Sequence, residues 1–216
     1  MTNHDRFDVQ PSYFALARTL CASLLERERA TPTPGLVVGI AGESGSGKSI
    51  TATCLARELE GAGRRARVIH QDDYFRLPPR SNHEHRLLDL AHVGPHEVNL
   101  ELLRTHIADF RAKRDNIAVP LVDYPGNRFV TERCDFGAVD VLLVEGTYVL
   151  QLPDLDLRMF LEATHRDTSE RRRARNRDID APIIDRILDI EHAIIARQSV
   201  HADILIDRDF AIVRSP

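Results

Sequence analysis

The stretch from Leu36 to Gly63 constrains the fold of this chain more than any other. A short apolar run rich in β-branched residues, LVVGIA, leads directly into GESGSGKS at residues 42–49, and a helix-like segment, KSITATCLARELEGAG, follows. GESGSGKS contains three glycines and three serines, so it has almost no apolar surface to place in a core. Because glycine costs more backbone entropy to order than other residues, a bound ligand must offset that cost.

The composition of this stretch is typical of a loop that binds phosphate. It fits the P-loop pattern GxxxxGK[ST], in which glycines let backbone N–H groups reach phosphate oxygens and the next helix adds unsatisfied donors. We expect Lys48 to bridge β- and γ-phosphate oxygens and the Ser49 hydroxyl to ligate magnesium. The pattern therefore predicts ATP and Mg²⁺ as cofactors. The candidate nucleotide-binding residues are Gly42, Glu43, Ser44, Gly45, Ser46, Gly47, Lys48, Ser49 and Ile50.

A P-loop alone does not separate kinases from GTPases, motors or transporter ATPases. The chain has no NKxD-type stretch for guanine, and 216 residues are few for a motor. A net charge of -4 disfavours binding to nucleic acid. The N-terminus lacks the apolar region of a signal peptide, and no apolar run is long enough to cross a bilayer. We expect a cytoplasmic protein that binds neither nucleic acid nor membrane.

Apolar runs alternate with helical segments along the rest of the chain. This alternation predicts an α/β fold with a doubly wound parallel sheet. Segments 74–98 and 123–137 have weak periodicity and are interpreted as loops. Further strands are predicted at 67–70, 116–121, 139–146, 156–163 and 202–207, and further helices at 11–30, at 99–114 with Asn99 as N-cap, and from Pro182 onward.

Acidic residues follow two of the predicted strands. Asp72 lies in HQDDYF after strand 67–70, and Glu145 ends the apolar strand VDVLLVEG. Ligands gather at the carboxyl ends of strands in such sheets, so Asp72 can accept the proton of an attacking hydroxyl, with Asp73 as the substitute. Glu145 is placed to hold a water on magnesium, and Asp72 joins Ser49 and Glu145 as a magnesium-associated residue. The alternatives are a turn-forming acidic pair and a carboxylate bonded to backbone N–H groups.

The order of four motifs resembles that of a known family. GIAGESGSGKS, QDDYF, VLLVEG and ERRRARNRD occur along the chain as they do in uridine kinase-like P-loop kinases. The superfamily also holds phosphoribulokinase, bacterial pantothenate kinase and nicotinamide riboside kinases, and the resemblance spans about residues 36–207. It implies a five-stranded parallel core with helices on both faces and a mobile lid. It also places Asp72 as the catalytic aspartate and Glu145 as the magnesium-associated acid.

An arginine-rich segment, SERRRARNRD, occupies residues 169–178. By the resemblance, Arg171, Arg172 and Arg175 match the R-R-x-x-R portion of the family's lid. Arg171 and Arg175 lie on one helical face, so we expect this pair to act on the transferring phosphoryl group and Arg172 to contact ATP. The alternative is a solvated helix face.

The sequence differs from the uridine kinase pattern in the segments that contact the phosphoryl acceptor. The D-H-P stretch of uridine kinases is replaced by HVGPHEVN, and PLVDY at 120–124 replaces a proline–tyrosine–aspartate run. We expect acceptor contacts from this part of the chain. The candidate residues are Asp73, Tyr74, Asp123, Tyr124 and Arg128. His192, on an apolar helix, is predicted to be a packed core histidine.

These features predict an ATP- and Mg²⁺-dependent kinase that phosphorylates a hydroxyl of a nucleoside or similar small molecule. Pantothenate, nicotinamide riboside and a sugar phosphate are alternative acceptors, and a non-catalytic nucleotide-binding regulator is the alternative outside enzymes. We expect one kinase domain over 1–216, and homo-oligomerisation is left open. Its predicted parts are an N-terminal helix at 11–30, a P-loop core at 36–73, an acceptor-covering segment at 74–136 and a lid at about 164–181.

Overall fold

The computed structural model describes residues 10–30, 35–168 and 182–214. Its helices are α1 (Pro11–Ala30), α2 (Lys48–Gly61), α3 (Pro79–Leu88), α4 (Leu100–Arg111) and α5 (Pro182–Ile195). Its strands are β1 (Leu36–Gly42), β2 (Ala66–His70), β3 (Ile117–Asp123), β4 (Arg128–Cys134), β5 (Val141–Gly146), β6 (Leu157–Leu161), β7 (Ile204–Ile206) and β8 (Ile212–Arg214). In these described ranges, no helix has the length and apolar character needed to span a membrane.

The main sheet has six strands in the order β2-β5-β1-β6-β7-β8. The first five are parallel, and β8 pairs antiparallel with β7. Every residue of β1 and of β5 is buried, as expected for parallel strands covered on both faces. The predicted α/β class and parallel sheet are confirmed, and β8 adds an antiparallel edge strand that the sequence analysis did not identify.

The two faces of the sheet bury separate apolar clusters. Along β1, Val37 and Ala41 enter one cluster with Leu103 and Phe110 of α4. Val38 and Ile40 enter the other cluster, which contains α1 and α2 residues such as Leu20, Leu24, Leu55 and Leu59. Alternate residues of a strand point to opposite faces, so each face needs its own helices. The helices that cover β1 therefore hold its C-terminal end, where the glycine-rich loop begins.

Two segments that were interpreted as loops contain regular structure, so those predictions were wrong. Helix α3 lies within 74–98, and strand β4 lies within 123–137. Asn82 is the buried residue of α3, and this helix is held by polar contacts that an apolar pattern cannot reveal. Strand β4 pairs antiparallel with β3 in a two-stranded sheet, so the predicted strand at 116–121 exists but does not join the main sheet.

Candidate active site

The loop between β1 and α2 has the backbone geometry that its glycines predict. Gly47 has a φ of 101° and is the N-cap of α2, with no side chain capping the helix. A Cβ at Gly47 would lie 2.7 Å from the Tyr13 hydroxyl oxygen, so a larger residue cannot fit without displacement. The N–H groups of the first turn are not covered by a capping side chain and can receive an anion.

Lys48 and Ser49 begin α2 beside the end of β5. The Lys48 ammonium donates to the carbonyl oxygen of Glu43 at 3.4 Å, across the loop. The Ser49 hydroxyl donates to Oε1 of Glu145 at 3.0 Å. His70, the last residue of β2, places its Nδ1 2.6 Å from the same carboxylate oxygen. The structure therefore brings the predicted P-loop residues and Glu145 together, and it adds His70, which the sequence analysis did not single out.

Glu145 is buried and charged. Burial alone would raise its pKa, but the hydrogen bonds from His70 and Ser49 and the nearby Lys48 ammonium hold that pKa below its usual range. Burial acts to lower the pKa of His70, and the bond to Glu145 with the carboxylates of Asp73 and Asp72 raises it overall. Each side chain therefore favours the charged form of the other at the carboxyl ends of the adjacent strands β2 and β5. Among the described residues, Glu145 contacts the side chains of Ser49 and His70. These contacts favour a site carboxylate over the alternative of a carboxylate bonded to backbone N–H groups.

The residues around Glu145 fit a magnesium ion. Its second oxygen, Oε2, is buried and accepts no hydrogen bond from the described residues. A buried carboxylate oxygen without a donor is costly unless a ligand or an ordered water reaches it. The neighbouring Ser49 hydroxyl supplies a second oxygen of the kind that magnesium binds. Ser49 and Glu145 are therefore the residues that would hold the ion or its water.

The two aspartates after β2 have different surroundings. Asp72 is exposed, lines the same cavity as Lys48, and accepts a 3.5 Å hydrogen bond from the Tyr124 hydroxyl. Asp73 is buried, and its Oδ1 accepts the backbone N–H of Val122 in β3 at 2.8 Å. Burial raises the pKa of Asp73 to about 6, although the Val122 N–H and His70 act in the opposite direction. Asp72 is thus the carboxylate that faces the cavity, whereas Asp73 holds the β3–β4 hairpin.

The cavity has a volume of about 270 Å³ and lies between the P-loop, α3 and α5. Apolar side chains of α5 form one wall, and polar groups from the P-loop, the turn after β2 and α3 form the other. Tyr124 reaches it from the end of β3. Its polar and charged lining residues are Ser44, Lys48, Asp72, Asn82, His83, Arg86, Tyr124, Thr147 and Glu191.

Arg86 of α3, a partly buried arginine, lines the far side of this cavity and binds two carboxylates. The Arg86 guanidinium binds Glu97 through both oxygens, at 2.5 and 2.8 Å, and reaches Glu191 of α5 at 3.0 Å. Glu97 also accepts from Asn82 at 3.0 Å and from the backbone N–H of Gly94 at 2.8 Å. Sequence reasoning missed these residues, since Glu97 and Glu191 lie far apart along the chain and no local pattern joins them. The Gly94–Glu97 contact occupies the segment in which the acceptor motif departs from the uridine kinase pattern.

Replacing Glu97 by glutamine is expected to lower the free energy of unfolding by about 2 kcal/mol, because it weakens the charge-assisted hydrogen bonds from Arg86, which keeps only Glu191 as a charged partner. Urea denaturation followed by circular dichroism measures the change. Glu101→Gln, at an exposed position of α4, is the matched control and is expected to change stability by less than about 0.5 kcal/mol. Equal, small losses in both variants would contradict a stabilising role for the Arg86 network.

Other predicted site residues lie away from the cavity. Asp123 and Arg128 pair with each other at 2.9 Å across the hairpin, and the Asp123 carboxylate also accepts the Gly126 N–H. The Tyr74 hydroxyl lies 2.7 Å from Nδ1 of buried His106. Ile50 packs its side chain with Tyr13 and other core residues. Arg171, Arg172 and Arg175 lie outside the described residues, so the lid remains a prediction.

Comparisons with known proteins identify relatives of this chain. No protein-family model matches the chain. A uridine kinase of Ureaplasma parvum serovar 3 is 32% identical over 158 residues, which cover 67% of this chain and 74% of the relative. The chain belongs to the uridine kinase-like family of P-loop kinases. The family resemblance drawn from the four motifs is thereby confirmed.

Other relatives of this uridine kinase-like chain differ in name and length. A uridine kinase of Staphylococcus epidermidis is 29% identical over 184 residues, covering 79% of this chain and 86% of the relative. The bifunctional alpha-galactosidase/sucrose kinase AgaSK of Mediterraneibacter gnavus is 29% identical over 191 residues, covering 82% of this chain. The chain spans only 20% of the length of AgaSK.

Solved structures share the fold of this uridine kinase-like chain. A kinase of Silicibacter sp. TM1040 assigned to a fructose transport system superposes with a TM-score of 0.63 at 22% identity, covering 86% of this chain and 94% of that one. D-glycerate 3-kinase of Cryptococcus neoformans superposes with a TM-score of 0.56 at 14% identity, covering 93% and 97%. At identities of 22% and 14%, this structural similarity shows a shared fold and nothing more specific.

Proposed function

We propose that this protein is an ATP- and Mg²⁺-dependent kinase that transfers the γ-phosphoryl group to a hydroxyl of a small molecule. The observation that carries the proposal is that Lys48 of the P-loop and Asp72 line one cavity. A γ-phosphate bound by the P-loop and the hydroxyl of an acceptor in the cavity would lie next to each other, between Lys48 and Asp72. Positioning of this kind, with electrostatic stabilisation, supplies most of the catalysis in phosphoryl transfer.

Each group of the site has a distinct chemical role in this proposal. Asp72 accepts the proton of the attacking hydroxyl, and the Tyr124 hydroxyl orients its carboxylate through the 3.5 Å hydrogen bond. The Lys48 ammonium stabilises negative charge on the β- and γ-phosphate oxygens. Ser49 and Glu145 would hold magnesium, which when bound neutralises charge on those phosphate oxygens. His70 fixes the Glu145 carboxylate from the side of β2.

The charge of the cavity favours an uncharged acceptor. Beyond the P-loop, the charged lining residues include Asp72 and Arg86, and Arg86 is already bound to Glu97 and Glu191. A carboxylate or phosphate on the acceptor would be repelled by the negative charge of Asp72, while Arg86 is already paired within the protein, which costs binding energy. Asn82 and Glu191 offer the hydrogen-bonding groups that suit hydroxyls. Uridine and sucrose, after which several relatives are named, are both uncharged polyhydroxyl compounds.

ADP release measured with Mg-ATP over an acceptor panel tests this proposal. We expect turnover with uncharged nucleosides or sugars and none above background with pantothenate or sugar phosphates. Nicotinamide riboside, a cation, is included because the same negative charge would not exclude it. Turnover confined to anionic acceptors would contradict the charge argument, and ATP binding without turnover on any compound would favour the non-catalytic alternative.

A further inference from the structure

Glu43, the second residue of the P-loop pattern, points its carboxylate at two histidines from distant parts of the chain. Its Oε2 accepts the backbone N–H of His165 at 2.7 Å and lies 3.0 Å from Nδ1 of that residue. Its Oε1 lies 2.6 Å from Nδ1 of His192 on α5. The three side chains come from the P-loop, from the segment after β6 and from α5. His192 is therefore half-exposed and bonded to Glu43, and the prediction of a packed core histidine was wrong.

The geometry of these three side chains suits a metal ion. One ligand atom from each side chain lies within 4.8 Å of the other two, close enough for all three to reach a single ion. Zinc binds imidazole nitrogen and carboxylate oxygen at about 2.0–2.2 Å, so ligand atoms around one ion lie roughly 3–4 Å apart. Nε2 of His165 also lies 3.4 Å from Oδ1 of Asp189. A carboxylate behind a ligating histidine is the usual outer partner in such sites.

We propose that Glu43, His165 and His192 form a binding site for a zinc-class divalent metal ion. Three protein ligands would leave one coordination position open, which is the arrangement of zinc sites that also bind water or a substrate group. The side chains of Glu43 and His165 are 7% and 6% exposed, whereas His192 is 43% exposed and gives the ion a path from solvent. The nitrogen ligands distinguish this site from the oxygen-only pair at Ser49 and Glu145, which suits magnesium.

Binding of the ion requires a rearrangement of protons. Without metal, Nδ1 of each histidine lies 2.6–3.0 Å from a Glu43 carboxylate oxygen, a geometry that favours the tautomer in which Nδ1 donates to that oxygen. On binding, each neutral imidazole takes its proton at Nε2 and offers the Nδ1 lone pair to the ion. His165 then directs its Nε2–H toward Asp189. Oε1 of Glu43 coordinates the ion, and Oε2 continues to accept the hydrogen bond from the backbone N–H of His165.

Zinc titration of the purified full chain, in competition with a chromophoric chelator and without nucleotide, tests the proposal. We expect one zinc ion per chain. His192→Ala is expected to weaken its binding by more than about a hundredfold, because loss of a ligand should exceed the roughly 10–100-fold effect of outer-shell changes. His201→Ala, at an exposed histidine outside the cluster, is the matched control and should bind zinc as the unmodified protein does.

Cobalt substitution gives a second readout that does not depend on affinity or on kinase activity. The unmodified chain with Co²⁺ should develop the intense visible absorption of a four-coordinate site, and His192→Ala should not. Circular dichroism shows whether each variant remains folded. Zinc binding that is absent, or equal in the unmodified protein and His192→Ala, would overturn the proposal and leave the cluster as a hydrogen-bonded contact.

Discussion

Asp72→Asn is expected to lower kcat by about 10²–10⁴-fold, the usual contribution of a general base, while ATP binding is retained. Asparagine keeps the size of the side chain and can still accept from Tyr124, but it cannot take the hydroxyl proton. The measurements are ADP release with the best acceptor of the panel and calorimetric titration with ATP. A kcat loss with unchanged nucleotide affinity would place the defect in the transfer step.

Asp73→Asn is the matched control for this experiment. Asp73 is buried and accepts the Val122 N–H, so an asparagine there can keep the same hydrogen bond through its amide oxygen. We expect a much smaller loss of kcat than in Asp72→Asn. Undiminished turnover in Asp72→Asn would remove Asp72 from its proposed role, and loss confined to Asp73→Asn would transfer that role to its neighbour.

Lys48→Ala is expected to weaken ATP binding by about 10–100-fold and to reduce transfer further. A hydrogen bond to a charged group contributes about 1.5–3 kcal/mol, and Lys48 is the lysine at the start of α2, where the phosphates are expected. Calorimetry with ATP measures the first effect and ADP release at saturating ATP the second.

Lys113→Ala controls for the general loss of a lysine. Lys113 follows α4 and donates to the carbonyl oxygen of Val139, away from the cavity. We expect unchanged ATP affinity in this variant. Equal ATP affinity in Lys48→Ala and in the unmodified chain would show that Lys48 does not bind the phosphates of ATP as proposed.

The parts of the fold that sequence reasoning predicted correctly depend on short-range patterns. The parallel strands β1 and β5 appear as apolar, β-branched runs because both of their faces are covered. The P-loop could be predicted because the glycines, lysine and serine that bind phosphate and magnesium lie within eight consecutive residues, 42–49. Asn99 was predicted as a cap and accepts the Leu102 N–H at 3.1 Å.

The features that were missed depend on contacts between distant residues. Helix α3 has few apolar residues and is fixed by the bonds of Asn82 and Arg86 to Glu97. Glu43 appears in the sequence as one more polar residue of the loop, yet its partner His165 lies 122 positions away. Charge pairing over such separations has no periodicity, so it becomes visible only when the fold places the partners side by side.

Two hydrogen bonds join the turn after β2 to the β3–β4 hairpin, so the two segments are expected to move together. Asp73 binds β3 through Val122, and the hairpin returns Tyr124 to the adjacent Asp72. A shift of the hairpin therefore displaces Asp72 and Asp73, the two central residues of the four-residue turn Gln71–Tyr74. Evolution of a new acceptor preference by remodelling the hairpin would also tilt the Asp72 carboxylate, which we propose accepts the hydroxyl proton, so selectivity and turnover are expected to change together.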